Sequence, residues 1–192
     1  GEQELFSKHE LITLFSLENI TKAGGRFDPE RCKWFNQQYL QQVDAAIVEK
    51  ALKDLLLEKG IENNSVDIGR VVALVQDRLT LLPDIWEEAD FFFVAPSDYD
   101  EKAVRKQWKE ETPKILASVG ALIDTAPNME ADTLSGLIKG WATENEVRLG
   151  MVMAPLRLAL VGALRGPDVF AICSVLGKEN CIGRLATAIA AI

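Results

Sequence analysis

The sequence predicts an all-α fold, a multi-helix bundle or cage made of two or three small helical subdomains. Apolar residues recur with a period near 3.6 in nearly every segment, which places them on one face of a helix. No run rich in Val, Ile and Thr alternates with polar residues between Asn-Gly or Asp-Gly turns, so few strands are expected. The connecting segments are roughly 2–6 residues long, as is usual between stacked helices.

The periodic stretches define the predicted helices in chain order. They cover residues 8–15, 28–42, 44–59, 67–80, 83–93, 98–108, 113–124, 130–143, 146–162, 168–175 and 178–190. Aspartates stand where four of these helices begin, at Asp28, Asp44, Asp67 and Asp168, and such side chains cap free backbone N–H groups. A proline directly after Asp28 suits the first helical position, and Gly60 suits the position just past a helix end.

Three further signals concern the second half of the chain. Ser97 or Asp98 is expected to cap the helix over 98–108. Pro155 lies inside the pattern over 146–162 and indicates a kink or a helix start, which would put Arg157 on a first turn. Gly177 is expected to separate the last two helices.

Bulk composition excludes several classes of protein. With 192 residues and 48% hydrophobic side chains, the chain can bury a core and is not a disordered tail. No apolar run reaches the ~18 residues that a membrane-spanning helix needs. The start has neither an initiator Met nor a signal-peptide pattern, so we expect a fragment of something larger.

Cysteine and histidine usage gives no indication of a metal site. Cys32, Cys173 and Cys181 form no Cys-x-x-Cys pair, and we expect reduced, buried thiols in a cytoplasmic protein. His9 is the only histidine, so a His pair for zinc is not available.

The net charge of −8 argues against nucleic-acid binding through bulk attraction. The charge is uneven, however, with −2 over residues 1–60, −8 over 61–144 and +2 over 145–192. Any contacts with phosphates or bases are therefore expected from the two ends of the chain and from a few placed arginines.

Nothing in the sequence indicates catalysis by this chain. It has no phosphate-cradling glycine loop and no Gly-x-Ser-x-Gly elbow. Acidic clusters at 87–88, 98–101 and 110–111 are interpreted as solvated helix faces or first-turn charges rather than as acid/base or metal carboxylates. An alternative interpretation is a stand-alone hydrolase built on these acidic residues. It would require enzymatic activity from this chain alone.

The aromatic residues are expected to lie mainly in the core. An exposed run at Phe91–Phe93 could stack bases at about 1–3 kcal/mol each. Core packing is favoured because Trp86, Phe93 and their neighbours fall on one helical side. Trp34 is also expected in the core, with a partner for its indole N–H.

A specific string of residues extends from Phe15 to Tyr39. It reads Phe-Ser-Leu-Glu-Asn-Ile-Thr-Lys, then a Gly-Gly break, Arg-Phe-Asp-Pro, and later Lys-Trp-Phe-Asn-Gln-Gln-Tyr. It resembles the segment that follows the catalytic domain in bacterial, class I glutamyl-tRNA synthetases and begins their tRNA-contacting helical region. The resemblance implies that Lys22, Arg26 and Lys33 contact the tRNA stem or its phosphates. Surface positions without a ligand are the alternative.

A second string extends from Arg148 to Gly162 and contains Pro-Leu-Arg-x-Ala, followed downstream by Gly-Pro, Leu-Gly-Lys-Glu and Arg-Leu. The same elements occur in this order in the synthetase family. The resemblance implies that Arg157 recognises an anticodon base, and a planar guanidinium can both hydrogen-bond and stack on an unpaired base. An ion pair with a neighbouring helix is the alternative role. Val161 departs from the family, which often has a Thr hydroxyl there.

The family also has a second anticodon-reading arginine on an earlier helix. Arg78 is the best match, and Arg70 is the alternative. The implied organisation is a stem-contacting segment over residues 1–62, a first anticodon-binding subdomain over 63–126 and a second over 127–192.

The resemblance implies the C-terminal tRNA-binding region of a glutamate–tRNA ligase, which joins glutamate to tRNA. Both ATP-holding class I signatures, of the His-x-Gly-His and Lys-Met-Ser-Lys types, are missing. No catalytic residue, metal ligand or cofactor is therefore expected here, and ATP and Mg²⁺ belong to an upstream catalytic domain. The expected partners are glutamate-accepting tRNA and that domain, with no membrane or DNA. The alternative is an acidic helical module that docks a partner protein and binds no RNA.

Overall fold

A computed structural model describes residues 3–20, 24–62 and 65–192. Within these ranges it contains ten α-helices, three 3₁₀ turns and no β-strand, which confirms the all-α fold. The helices are α1 (Lys8–Leu14), α2 (Pro29–Leu40), α3 (Ala45–Glu58), α4 (Ile68–Val75), α5 (Ile85–Phe93), α6 (Glu101–Gln107), α7 (Thr112–Thr125), α8 (Ala131–Glu144), α9 (Gly150–Val161) and α10 (Val169–Ala191). The 3₁₀ turns are Leu17–Asn19, Gln76–Arg78 and Leu82–Asp84.

The four predicted aspartate caps are confirmed. Asp28, Asp44, Asp67 and Asp168 each accept hydrogen bonds from backbone N–H groups in the first turn of α2, α3, α4 and α10. These side chains satisfy donors that have no partner inside the helix. Helix starts were therefore readable from single residues.

Glycines mark two of the predicted helix ends. Gly60 follows α3 with a φ of 66°. Gly177 has a φ of 77° and a ψ of 169°, so it interrupts α10 between the two helices predicted over 168–175 and 178–190. The two halves continue as one kinked element because helical residues flank the single break.

Several helix boundaries differ from the predictions, and two of the differences have a clear local cause. The helix expected over 98–108 begins at Glu101, because Asp100 accepts hydrogen bonds from the backbone N–H groups of Lys102 and Ala103. Ser97 donates to the Asp98 carboxylate instead of capping the helix. The helix expected over 67–80 ends at Val75 and tightens into the 3₁₀ turn Gln76–Arg78.

Of the two alternatives for Pro155, a kink or a helix start, the helix start was wrong. Helix α9 continues from Gly150 to Val161 with Pro155 inside it, so Arg157 does not lie on a first turn. A proline removes one backbone donor and usually kinks a helix. Here Pro155 and the neighbouring Leu156 are buried, and packing holds the helix together across the missing hydrogen bond.

One continuous hydrophobic core joins the two halves of the chain. Helix α10 packs against α7, α8 and α9, while α3, α4 and α5 pack together and α4 and α5 also contact α10. No helix among the described residues combines the length and apolar character needed to cross a bilayer.

The aromatic and cysteine predictions were right in part. Phe91 and Phe92 are each 2% exposed and belong to the core, as expected. Trp34 is 40% exposed and packs edge-on against Phe35, so its predicted core position was wrong. Cys173 and Cys181 are buried thiols, but Cys32 is exposed because it lies on the outer side of α2, in which only Leu40 is buried.

Candidate functional site

Arg157 lies half-buried on α9 and is held by backbone oxygens. Its Nη1 donates to the carbonyls of Arg165, Gly166 and Pro167 at 2.9, 3.2 and 2.5 Å. The alternative of an ion pair is not seen, since no carboxylate of the described residues forms a salt bridge with Arg157. Carbonyl dipoles, and not a paired carboxylate, therefore hold its guanidinium.

The other donors of Arg157 remain available. The structure records hydrogen bonds from Nη1 alone, and neither Nε nor Nη2 is among the buried polar atoms without a partner in the described residues. These two nitrogens therefore reach solvent. Together they form one edge of the guanidinium fork, which is the geometry that suits bidentate recognition.

The pKa of Arg157 is affected by burial and by two charged groups, one of which is a second arginine. Burial is the main cause that lowers the pKa of Arg157, the nearby Asp168 carboxylate opposes it, and the positive charge of Arg78 lowers it further. The charge of Arg78 therefore acts on Arg157 in the fold, although the two lie 79 positions apart in sequence.

Arg78 stands at the end of the 3₁₀ turn that follows α4. Its Nε donates to the Glu88 carboxylate on α5 at 2.7 Å, and its side chain stays partly exposed. The alternative candidate, Arg70, instead donates to Ser174 Oγ on α10 at 2.7 Å. Arg70 is not among the charges that shift the pKa of Arg157, whereas Arg78 is.

Helix α2 holds the turn that carries Arg78. The Asn36 amide donates to the carbonyl of Thr80, and the Gln41 amide donates to the carbonyl of Asp77 at 3.2 Å. From the turn itself, Gln76 donates to the carbonyls of Leu40 and Val43 at 3.0 and 2.9 Å. Part of the distinctive string before Tyr39 therefore has a structural role beside Arg78.

Tyr39 does not contact the turn that carries Arg78 by any recorded hydrogen bond; it bonds the amino-terminal segment. Its hydroxyl donates to the carbonyl of Phe6 at 2.7 Å and accepts from the N–H of Phe6 at 3.2 Å. This pair of bonds ties the amino-terminal segment to α2.

Sequence reasoning missed Arg165. Its Nη2 donates to both carboxylate oxygens of Asp90 at 2.6 and 2.8 Å, and its guanidinium lies 5.3 Å from the centre of the Phe91 ring. Its backbone carbonyl is one of the three that hold Arg157. No local pattern signals this role, because Asp90 and Arg165 are 75 residues apart.

The predicted stem-contacting residues do not cluster with Arg78 or Arg157 by any recorded contact. Lys22 lies outside the described residues. Arg26 is exposed, and Lys33 pairs with Glu30 one turn before it on α2 at 3.0 Å.

The acidic clusters have structural partners. Glu88 pairs with Arg78, Glu101 pairs with Arg105, and Asp100 caps α6. Among the described residues, no three His, Cys, Asp or Glu side chains come together as a group able to hold a metal ion.

Comparisons with known proteins place the chain in a family. The family model described as "Anticodon binding domain" matches residues 30–189. The chain is 41% identical to a glutamate–tRNA ligase of Flavobacterium johnsoniae over 191 residues and 40% identical to one of Porphyromonas gingivalis over 189. It covers 38% and 37% of the lengths of these relatives, while the alignments include 100% and 98% of the chain.

Solved structures give the same result. A glutamate–tRNA ligase of Elizabethkingia meningosepticum, in complex with its amino acid, superposes with a TM-score of 0.92 at 36% identity. The synthetase of Elizabethkingia anophelis superposes with a TM-score of 0.88 at 35% identity. Each alignment covers 98% of this chain and 38% or 37% of the other. With most of its length matched by the family model, the chain belongs to the anticodon-binding domain family.

Proposed function

We propose that the chain is the anticodon-reading region of a glutamate–tRNA ligase, whose remaining part joins glutamate to tRNA. Family membership and the relatives at about two-fifths identity support the proposal. The observation that carries it is the half-buried guanidinium of Arg157, which three loop carbonyls hold through Nη1 while its other donors stay accessible to solvent. Arg157, which forms no salt bridge among the described residues, favours an anionic, base-bearing ligand over an apolar one, whereas Arg78 is already paired with Glu88.

In this proposal Arg157 reads an anticodon base through Nε and Nη2, and Arg78 serves a neighbouring base. A bidentate arginine contact to a base edge contributes about 1–3 kcal/mol of discrimination. Lys22, Arg26 and Lys33 would contact the stem or its phosphates, which position the RNA without reading its sequence. The segment over 1–62 would then serve the stem, and the parts over 63–126 and 127–192 would each supply one arginine.

A second partner is implied by the amino-terminal segment. Helix α1 buries none of its residues, and large apolar side chains stay exposed within it and in the segment that follows it. They are Leu11, Ile12, Leu14, Phe15, Leu17, Ile20 and Phe27. Since the chain covers 38% of a relative's length, we infer that the rest of the ligase packs on this face.

ATP and Mg²⁺ belong to that other part in our proposal. The described residues offer no cluster of carboxylates for Mg²⁺, and the sequence has no glycine loop for a triphosphate. The contribution of this chain is to bind and orient the tRNA.

Filter binding tests the proposal. The probes are a glutamate-accepting tRNA transcript and the same transcript with a changed anticodon, each at two ionic strengths. We expect about a tenfold preference for the first transcript, and a loss of affinity for both as salt rises. Arg157→Gln should remove the preference, and Arg105→Gln is the control, because this arginine is 80% exposed on α6.

Equal binding of both transcripts by the unmodified chain would refute the anticodon assignment. If the chain is instead an acidic module that docks a partner protein, it should bind neither transcript specifically and should show no salt-dependent RNA binding. A chain that binds both transcripts equally but strongly would be a stem binder only.

A further inference from the structure

The loop that joins α9 to α10 turns three consecutive carbonyls towards one nitrogen. The carbonyls of residues 165, 166 and 167 all accept from Arg157 Nη1. A connecting loop holds such an arrangement only if it is anchored, because free backbone would turn its carbonyls to water.

Helix α5 supplies the anchor. The Arg165 side chain donates to both oxygens of Asp90 and to the backbone carbonyl of Glu87. Gly166 lies so close to α5 that a Cβ atom there would stand 3.0 Å from the Phe91 ring. Two nitrogens of the Arg165 guanidinium are thus bonded to α5, Nη2 to the Asp90 carboxylate and Nη1 to the Glu87 carbonyl, and these bonds set where the Arg165 backbone lies.

The same helix also holds the other arginine. Glu88 pairs with Arg78, and the carbonyl of Phe91 accepts from the buried Arg184, which also bonds the carbonyl of Leu160 at the end of α9. Glu87 and Asp90 are three residues apart and share one side of α5. Glu88 and Phe91 share the adjacent side in the same way.

We propose that α5 is the template that positions both arginines, with Asp90 acting on Arg157 through Arg165 and Glu88 acting directly on Arg78. Asp90 and Arg165 are positioning residues: neither side chain presents its bonded atoms to the RNA. The inference deepens the proposed function, and only its RNA readout rests on that function.

The first test measures the ratio of affinities for the two transcripts. Arg157→Gln gives the full loss, about tenfold. Asp90→Asn and Arg165→Gln should each lower the ratio several-fold, because the loop carbonyls no longer converge. Glu87→Gln is the matched control, since the exposed side chain changes charge on the same helix while its bonded backbone carbonyl remains.

Double variants separate positioning from general damage. In the Arg157→Gln background, Asp90→Asn should leave the ratio unchanged, because the reader is already absent. In the Arg165→Gln background, Asp90→Asn should again leave the ratio unchanged, because Asp90 acts on Arg157 only through Arg165. Loss of affinity for both transcripts together with a lower melting temperature would assign Asp90 a merely structural role and overturn the proposal.

Nitrogen-15 NMR of the arginine side chains gives a readout without RNA. The Arg157 Nη signals should be resolved in the unmodified chain and in Glu87→Gln, because hydrogen bonds hinder rotation, and averaged in Asp90→Asn. If the unmodified chain shows no anticodon preference, the proposed function fails and this spectrum alone decides the positioning. Unaltered Arg157 signals in Asp90→Asn would overturn the proposal that Asp90 positions Arg157.

Discussion

At the scale of single residues, the partner of Arg157 decides what Arg157 can do. A carboxylate would cancel its charge, whereas carbonyl dipoles orient the guanidinium and leave its net charge in place. Burial lowers the pKa of Arg157, yet arginine keeps its proton in proteins. The result is an oriented cation with two free donors.

The three cysteines differ in their surroundings, and their reactivity should differ accordingly. A hydrogen bond with Cys181 and burial together raise the pKa of Cys173 well above its ordinary value, so its reactive thiolate is suppressed. We expect iodoacetamide to modify Cys32 alone in the folded chain and all three cysteines in denaturant, as counted by intact-mass spectrometry. Rapid modification of Cys173 or Cys181 without denaturant would contradict the buried positions of these thiols.

At the scale of elements, Gly162, which joins α9 to the following loop, has little room for a side chain. Gly162 ends α9 in the left-handed conformation, with a φ of 82°, and its carbonyl accepts from the N–H of Asp100 at 2.8 Å. This joint carries the loop towards α5 and therefore towards Asp90.

Gly162→Ala should lower the free energy of unfolding by at least about 1–3 kcal/mol. The added Cβ would stand 2.7 Å from the backbone oxygen of Asp98, in a backbone conformation that disfavours a side chain. Gly136→Ala is the control with the opposite sign, since Gly136 lies exposed inside α8 with open space around it. It should stabilise by about 0.5–1 kcal/mol. Urea unfolding followed by circular dichroism measures both, and equal effects would contradict the argument.

At the scale of the whole molecule, charge and apolar surface are distributed unevenly. The stretch over residues 61–144 carries a net charge of −8 and repels phosphate, although it contains Arg78. In the proposed function, RNA affinity therefore comes from local contacts at Arg78 and Arg157 and from the less acidic ends.

The exposed apolar face around α1 gives a prediction at this scale. Ile12→Glu combined with Leu17→Glu should weaken association with the separately purified remainder of the ligase at least about tenfold, because burying each such side chain is worth about 1.5–3 kcal/mol. The helical content should not change, since α1 buries no residue. Isothermal titration calorimetry measures the affinity, with the exposed Leu57→Glu on α3 as the control.

Light scattering tests whether a second copy of the chain covers this face instead. A dimer of the unmodified chain that dissociates in the double variant would show that a second copy covers this face, rather than the remainder of the ligase.

The sequence by itself determined the helices, most of their starts and the strings that carry the family resemblance. These are local properties: a 3.6-residue period, an aspartate before a helix and a glycine after it act within a few residues. Asp28 and Gly177 could be interpreted correctly without any knowledge of the fold. Pro155 could not, because its cost is offset by packing around α9 that the sequence does not display.

Only the tertiary structure decided which side chains meet. The contact of Asp90 with Arg165, and the effect of the Arg78 charge on Arg157, join residues more than 70 positions apart. Such pairs arise from how helices pack, and each acid on α5 looks from sequence alone like an ordinary solvated charge. The chain's motifs therefore identified Arg157, while the arrangement of α5, α9 and the loop between α9 and α10 determines how it is presented.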